Sequence, residues 1–226
     1  LLKKLLTVVV MLCMVLGMGS MALAQTGEVS ADLWFTNHVW QEDTKVDTKH
    51  EAAARLTGVK GEFDITNKIG VVGSFVFGKS EDFEKIEKNH GELTNMSLAV
   101  RYQVVPMVKA QAGFFTGGYT MTDGTTDDEY KTSGITIGAA VDFEVGDGIG
   151  IFGEANYAPL VNAKKGDREY KESTMMAFEA GGKYDFGQFA VKAGYRYQGF
   201  DFKEEKATTS SSATFSGFFV GGGVNF

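Results

Sequence analysis

A short aromatic pattern recurs along this chain at an almost constant spacing. In each copy a small or apolar residue and a polar residue precede an aromatic side chain. The five aromatics lie 39, 41, 41 and 42 residues apart, at Phe63, Tyr102, Phe143, Tyr184 and Phe226. A repeat of this length can contain two strands and their turns. It therefore predicts a regular array of β-hairpins rather than an irregular globule.

Between the turns, apolar and polar residues alternate with a period of two, as in half-buried strands. Glycine is frequent at 29 residues, proline is rare at 2, and no segment keeps apolar residues at helical spacing. We therefore expect an all-β fold, a single up-and-down antiparallel barrel of ten strands, with eight strands as the alternative. The ten predicted strands are 28–40, 51–65, 68–79, 92–104, 107–119, 132–145, 148–158, 173–186, 188–200 and 213–226.

The connections between these strands alternate in length. Four are short and carry Asn, Pro or Gly, at 66–67, 105–106, 146–148 and 186–187. Five are long and charged, at 41–50, 80–91, 120–131, 159–172 and 201–212. Short turns at one end and long loops at the other are typical of transmembrane barrels. An even strand number returns both termini to the short-turn side, which predicts periplasmic N- and C-termini.

The first 24 residues have the pattern of a cleaved secretory signal. Lys3 and Lys4 precede an apolar run over 5–18, and Ala22-Leu23-Ala24 is a small-residue cleavage site. We expect a mature barrel domain over 25–226. The only cysteine, Cys13, would leave with the signal, so a disulfide or a cysteine metal site is not expected.

Charge also limits the partners of the mature chain. Without Lys3 and Lys4 the formal net charge goes from −7 to −9, which argues against nucleic acid. The histidines His38, His50 and His90 are scattered, and the acidic stretch 123–129 lacks the spacing of a calcium loop. We expect neither a cofactor nor a metal.

Alternation alone does not say which face of the strands points outward. In a lipocalin-like barrel the apolar face would point inward, whereas in a membrane barrel it meets lipid. Charges deep in the strands and the constant level of the repeated aromatics favour the membrane barrel, with Phe63, Tyr102, Phe143, Tyr184 and Phe226 as an interfacial girdle. Phe35, Phe77, Tyr157 and Tyr197 are candidates for the opposite girdle. The predicted lumen lining is Asp32, Lys60, Glu62, Arg101, Lys109, Asp142, Glu154, Glu179, Lys183, Lys192 and Arg196.

With its signal segment, amphipathic strands and terminal Val224-Asn225-Phe226, the chain resembles small bacterial outer-membrane β-barrels of the OmpA/OmpX type or small porin-like barrels. Gly221, Val224 and Phe226 match the spacing of that family's C-terminal assembly signal, whereas Phe219 stands where a polar residue is usual. The resemblance implies a location in the cell outer membrane, contact with lipid and lipopolysaccharide, and recognition of the C-terminal strand by the barrel assembly machinery.

The predicted interior allows two interpretations. Its acids and bases are balanced, which favours a salt-bridged, closed lumen with Glu179 near Gly194 and flanked by Lys192 and Arg196. Alternatively, inward glycines leave room for a narrow polar passage; these are Gly70, Gly113, Gly138, Gly150, Gly194 and Gly221.

Some residues do not follow the alternation. They are Arg55 on the apolar face, and Trp34, Phe152, Val72 and Val76 on the polar face.

For function, we expect a non-enzymatic outer-membrane protein with a structural or surface role. The alternatives are a narrow porin-like channel for small polar solutes or ions, and an adhesin or ligand-binding protein that acts through its extracellular loops. A minor alternative is an outer-membrane protease that uses Asp127, Asp128 and the histidines. No nucleophile, phosphate-binding or zinc-protease motif occurs in the sequence.

Overall fold

The computed structural model describes residues 26–43, 48–83, 89–123, 126–203 and 210–226. They form a closed barrel of ten antiparallel strands in which each strand pairs with its sequence neighbours and β1 pairs with β10. This confirms the all-β fold and the count of ten rather than eight. The strands are β1 Thr26–Asp43, β2 Thr48–Asp64, β3 Ile69–Ser80, β4 Asn89–Val105, β5 Val108–Asp123, β6 Thr126–Gly146, β7 Ile149–Lys165, β8 Arg168–Phe186, β9 Phe189–Lys203 and β10 Ser210–Asn225.

The predicted signal segment, residues 1–24 with Cys13, lies outside the described residues. Over the ranges that are described, no helix is long and apolar enough to cross a membrane.

The four short turns lie where the sequence predicts them and define what we call the turn end of the barrel. Residues 146–148 show why turn residues stand there, because Gly146, Asp147 and Gly148 all have positive φ, at 132°, 53° and 77°. Such angles are accessible mainly to glycine and to residues such as Asp. At the 65–68 turn, the Thr66 hydroxyl accepts a hydrogen bond from the Ile69 N–H at 3.0 Å.

The opposite end, which we call the loop end, differs from the prediction. The segments 120–131 and 159–172 were predicted as long loops, yet β5 continues to Asp123, β6 begins at Thr126, and β7 and β8 meet in a turn at 166–167. Lys165 and Asp128 form an ion pair of 2.6 Å on this wall. The sequence does not predict these strand extensions, because their residues are largely charged and polar. A strand that is solvated on its outer face does not need the alternation of apolar and polar residues. The long-loop prediction is therefore wrong for these two segments.

The outer wall carries a belt of apolar side chains. Leu98, Ile135 and Phe218 are 61%, 68% and 71% exposed, and similar residues recur around the ring. Tyr102, Phe143 and Tyr184 lie on this wall near the turn end, and the rings of Phe63 and Phe226 are 5.8 Å apart where the barrel closes. The apolar face therefore points outward along the belt, opposite to the lipocalin-like arrangement. An exposed belt of this extent is far larger than a soluble monomer shows.

The six glycines that were predicted to leave room in the lumen are closely surrounded by other atoms. A Cβ on Gly150 would lie 2.6 Å from Lys183 Cε, and one on Gly70 would lie 2.8 Å from Asp64 Oδ1. Similar close contacts surround the other four glycines that were predicted to leave room. Neighbouring side chains or strands already occupy the space beside these six glycines, so the missing side chains do not widen the lumen there.

Gly194 offers a direct test of this packing. A Cβ there would lie 2.3 Å from the Ala180 carbonyl oxygen and 2.8 Å from Gly181 Cα. Gly194→Ala is therefore expected to lower the free energy of unfolding by about 1–3 kcal/mol, the usual cost of overpacking. Gly182→Ala is the control, since its nearest contact is the Gly150 oxygen at 3.7 Å. Urea unfolding of the refolded barrels measures both, and equal stability of the two variants would contradict the prediction.

Candidate functional site in the barrel lumen

The eleven charged residues that the sequence assigns to the lumen all line one cavity at the turn end of the barrel. They come from β1, β2 and β4–β9, and alternation along each strand turns them inward. Glu28 joins them from the start of β1. Their arrangement decides what the interior can do, because unpaired charges in a narrow lumen would attract water or ions, whereas paired charges close it.

Lys60 stands at the centre of the charges. Its Nζ donates to Glu154 Oε2 at 2.6 Å and to Glu179 Oε1 at 2.8 Å. Lys60 belongs to β2, whereas the two glutamates are paired neighbours on β7 and β8. One lysine therefore bridges the lumen and neutralises two carboxylates that would otherwise repel each other.

Arg196 extends the connection to β1. Its Nη1 and Nη2 donate to the two carboxylate oxygens of Asp32 at 2.9 and 3.0 Å, and its Nε donates to Glu179 Oε2 at 3.0 Å. Bidentate arginine–carboxylate pairs of this kind have a fixed geometry. The guanidinium also lies 4.6 Å from the centre of the Phe219 ring, so both its edge and its face are occupied.

The predicted register around Glu179 is wrong by two residues. The sequence placed Glu179 opposite Gly194, but its partner in the β8–β9 ladder is Arg196. Phe186 pairs with Phe189, so the turn holds two residues. Lys192 accordingly bonds Glu28 instead. A shift of two keeps every side chain on its predicted face, which is why the lumen lining survives while the pairing does not.

Arg101 fills the other side of the network and is buried. It donates to Glu62 and Glu154, and its Nε donates to Gln111 Oε1 at 2.7 Å. Lys109 Nζ donates to the second oxygen of Glu62 at 2.6 Å. Gln111 was not predicted as part of the site, because a neutral amide at an inward position carries no charge signal.

Together these contacts form one continuous chain of alternating charge, with four acids and four bases. In order, its members are Asp32, Arg196, Glu179, Lys60, Glu154, Arg101, Glu62 and Lys109. At the rim, Lys183 pairs with Asp142 at 2.7 Å. We call the eight-residue chain the ionic layer. Each charge in it has an opposite partner, as a group in a poorly hydrated lumen requires.

Above the ionic layer, toward the loop end, the lumen is filled by an aromatic cluster that the sequence did not predict. Its fully buried members are Trp34, Trp40, Phe83, Phe115, Tyr119, Phe202 and Phe215, with His38 among them. Trp34 was noted as an exception to the alternation, and Trp40 lies on the same face of β1. The signal was available in the sequence: inward positions near the loop end are repeatedly aromatic. The loop-end half of the lumen is therefore apolar, in contrast to the charged turn-end half.

His38 shows how tightly the cluster is packed. Its ring stacks on Phe215 at 4.4 Å with an interplanar angle of 6°, and its Nε2 lies 3.0 Å from the Tyr119 hydroxyl. Phe83, which follows β3, covers the cluster and lies 5.1 Å from the His38 ring. His38 is 0% exposed. It is a core residue of the barrel and cannot act at a surface site.

Two small cavities lie in the lumen between the described residues. A cavity of about 80 Å³ lies on the turn side of the ionic layer, and one of about 100 Å³ lies between this layer and the aromatic cluster. Lys60, Glu154, Glu179 and Arg196 line both cavities and separate them. Each volume would hold a few water molecules.

Comparisons with known proteins give a resemblance in architecture. No family model matches the sequence, and no curated protein matches it. Among solved structures, 76 chains match. The translocator domain of the autotransporter NalP from Neisseria meningitidis has a TM-score of 0.44 and 14% identity, and the match covers 99% of this chain and 98% of that domain.

Two further solved structures match over slightly less of the chain. Neisserial surface protein A has a TM-score of 0.41 and 14% identity, with 88% of this chain and 97% of that one covered. Ail, the attachment invasion locus protein of Yersinia pestis, has a TM-score of 0.37 and 16% identity, with 88% and 99% covered. The chain resembles small outer-membrane β-barrels. Identities and TM-scores this low carry no information about what the chain binds.

Proposed function

We propose that this protein is an integral outer-membrane β-barrel with a closed lumen, a structural or surface role and no enzymatic activity. The carrying observation is the combination of an outward apolar belt with an interior in which the ionic layer is fully paired and the aromatic cluster is tightly packed. The belt suits a lipid environment, and the two internal layers leave little free volume.

We also propose an orientation for the barrel in the membrane. We place the turn end and both termini on the periplasmic side and the taller loop end outside the cell. Phe226 would close the barrel, since its N–H and C=O exchange hydrogen bonds with Gly27 at 3.0 and 2.8 Å. The same terminal strand is the segment that we propose the assembly machinery recognises.

The two acids of the protease alternative are engaged with other residues, and His90 lies 3.9 Å from Asp82 and 3.5 Å from Glu92. Asp127 accepts a hydrogen bond from the Thr122 hydroxyl at 2.8 Å, and Asp128 is bound to Lys165. His38 is sealed in the aromatic cluster, so it cannot activate water beside these acids. This arrangement favours the non-enzymatic role.

Conductance distinguishes the closed lumen from the narrow-channel alternative. The refolded barrel, inserted into planar lipid bilayers, is expected to give no discrete current steps, because ions would have to cross the ionic layer and then the aromatic cluster. A large porin measured in the same bilayers is the positive control. Insertion is verified separately by recovery in the outer-membrane fraction and by electrophoretic migration that changes on boiling. Reproducible steps from inserted protein would overturn the closed-lumen proposal in favour of the channel.

A second candidate is ligand binding by the wall at the loop end. The observation that favours it is the height of β6 and β8, at 21 and 19 residues, well beyond the 9–11 that cross a bilayer. If this wall is an adhesin, replacing 159–172 by a two-residue turn should abolish adherence of displaying bacteria to cultured epithelial cells. Heat-modifiable migration of the shortened barrel is the control for folding, and unchanged adherence would refute this candidate.

A further inference from the structure

Two cations stand side by side on the outer wall of the barrel. Arg55 on β2 and Lys79 on β3 are direct cross-strand partners, and both are exposed. Among the residues that the structure describes, neither side chain forms an ion pair or a hydrogen bond. Like charges placed directly opposite each other destabilise a sheet. Glu92 on β4 is the other cross-strand partner of Lys79, whereas Arg55 has Phe35 on its other side.

The pair lies on the outer wall near the edge of the apolar belt that faces the loop end. Arg55 shares the outward face of β2 with Phe63, eight residues nearer the turn end. At about 3.3 Å per residue and a strand tilt of about 40°, Arg55 stands about 20 Å above that ring. The apolar belt of such barrels is about 25 Å tall. The register of β2 with both neighbours is unbroken, so no bulge places Arg55 on this face.

Apolar side chains lie directly beside the two cations. Phe35 of β1 pairs with Arg55 and is 50% exposed. Phe77 is the next outward residue below Lys79, and its ring stacks on Phe75 at 5.2 Å. A molecule that meets this part of the wall would therefore contact two positive charges above and aromatic surface below. That is the pattern of a phosphorylated lipid, with an anionic head group and acyl chains.

Three exposed acids lie near the pair, and among the described residues none forms an ion pair with Arg55 or Lys79. Glu81 is the next outward residue beyond Lys79, and its N–H donates to the Ala53 carbonyl oxygen of β2. Glu92 is the direct β4 partner of Lys79, and its carboxylate lies 3.5 Å from His90 Nε2. Glu51 pairs with Lys49. A comparable lysine pair shows the difference: Lys131 and Lys164 are also cross-strand partners, but their amines lie 3.5 Å from Glu129 and 2.8 Å from Glu169 respectively.

We propose that Arg55 and Lys79 form a binding site for a phosphate group carried by a lipid of the outer leaflet, such as the phosphorylated lipid part of lipopolysaccharide. This inference rests on the proposed outer-membrane location. The guanidinium fork suits two phosphate oxygens, and the lysine adds a point charge next to it. The bound phosphate relieves the repulsion between the two cations, while Phe35 and Phe77 contact the acyl chains.

The test uses the complete refolded barrel in detergent, titrated with lipopolysaccharide that is either phosphorylated or enzymatically dephosphorylated, with bound lipid measured by native mass spectrometry. The double variant Arg55→Gln/Lys79→Gln is expected to bind the phosphorylated form about 30-fold more weakly, since each basic residue near an anionic surface contributes about fivefold. The matched control Lys131→Gln/Lys164→Gln is expected to stay within about twofold of the parent. The dephosphorylated lipid should bind the parent and the Arg55/Lys79 variant equally.

Other outcomes have defined meanings. Equal binding of the phosphorylated lipid by both double variants would overturn the site while leaving the outer-membrane barrel intact. Displacement of the lipid by millimolar inorganic phosphate would overturn the lipid part and assign the pair to free phosphate. Failure of the parent barrel to insert into vesicles or to show heat-modifiable migration would instead refute the proposed function, which separates the two failures.

Discussion

Replacing Lys60 by Met is expected to lower the free energy of unfolding by about 3–5 kcal/mol, the usual cost of removing one partner from a buried charge network. Lys60 holds both Glu154 and Glu179, which are cross-strand neighbours. Without it, the ionic layer keeps four acids and three bases, and the two glutamates repel each other in a poorly hydrated space. Urea unfolding of the refolded barrel, followed by tryptophan fluorescence, measures the loss.

Two further variants make this test specific. Lys164→Met breaks an ion pair whose side chains are 59% and 48% exposed, so its cost should stay below about 1 kcal/mol. Adding Glu179→Gln to Lys60→Met removes the excess negative charge and should restore part of the stability. A Lys60→Met cost no greater than that of Lys164→Met would show that the ionic layer is hydrated and contributes little.

Truncating Phe215 to Ala is expected to cost about 3–5 kcal/mol as well, for a different reason. The ring is 0% exposed, stacks on His38 at 4.4 Å and lies 6.2 Å from Tyr119. Removing it takes away apolar contact and leaves a cavity that a rigid barrel cannot close. The same urea titration measures the loss, with tryptophan fluorescence reporting on the neighbouring Trp34.

Phe218 provides the matched control, three residues further along the same strand. It is 71% exposed on the outer wall, where detergent or lipid replaces a missing ring. Phe218→Ala therefore loses transfer free energy but creates no cavity, and it should cost at least about 1 kcal/mol less than Phe215→Ala. Equal costs would mean that the aromatic cluster is loosely packed, which would also weaken the argument for a closed lumen.

The sequence predicts the architecture well because alternation and turn chemistry are local signals. The alternation along each strand assigns Glu154 and Arg101 to the inner face of the barrel and Ile135 and Phe143 to its outer face. This assignment does not depend on the exact register between strands. Glycines such as Gly148 mark turns through their backbone angles. These signals do not depend on distant strands, so they give ten strands and an inward charged set correctly.

Other features depend on which strands meet across the barrel. Lys60 and Glu154 are 94 residues apart, and no pairing rule for adjacent strands connects β2 with β7. The same holds for His38 and Tyr119, which meet only when the barrel closes. The strand extensions at the loop end are not evident in the sequence because solvated strands show no apolar face. The aromatic cluster is not evident because its members come from several strands that meet only in the closed barrel.

Sequence alone therefore determined the strand number, the outward apolar belt and the identity of the charged lumen residues, because each follows from periodicity along one strand. The tertiary structure decided the rest. Closure of the ring brings β2, β4, β7, β8 and β9 around one narrow axis, where side-chain length and opposite charge select partners across the lumen. The same closure packs the inward aromatics against each other, and it sets Arg55 beside Lys79 on the outer wall.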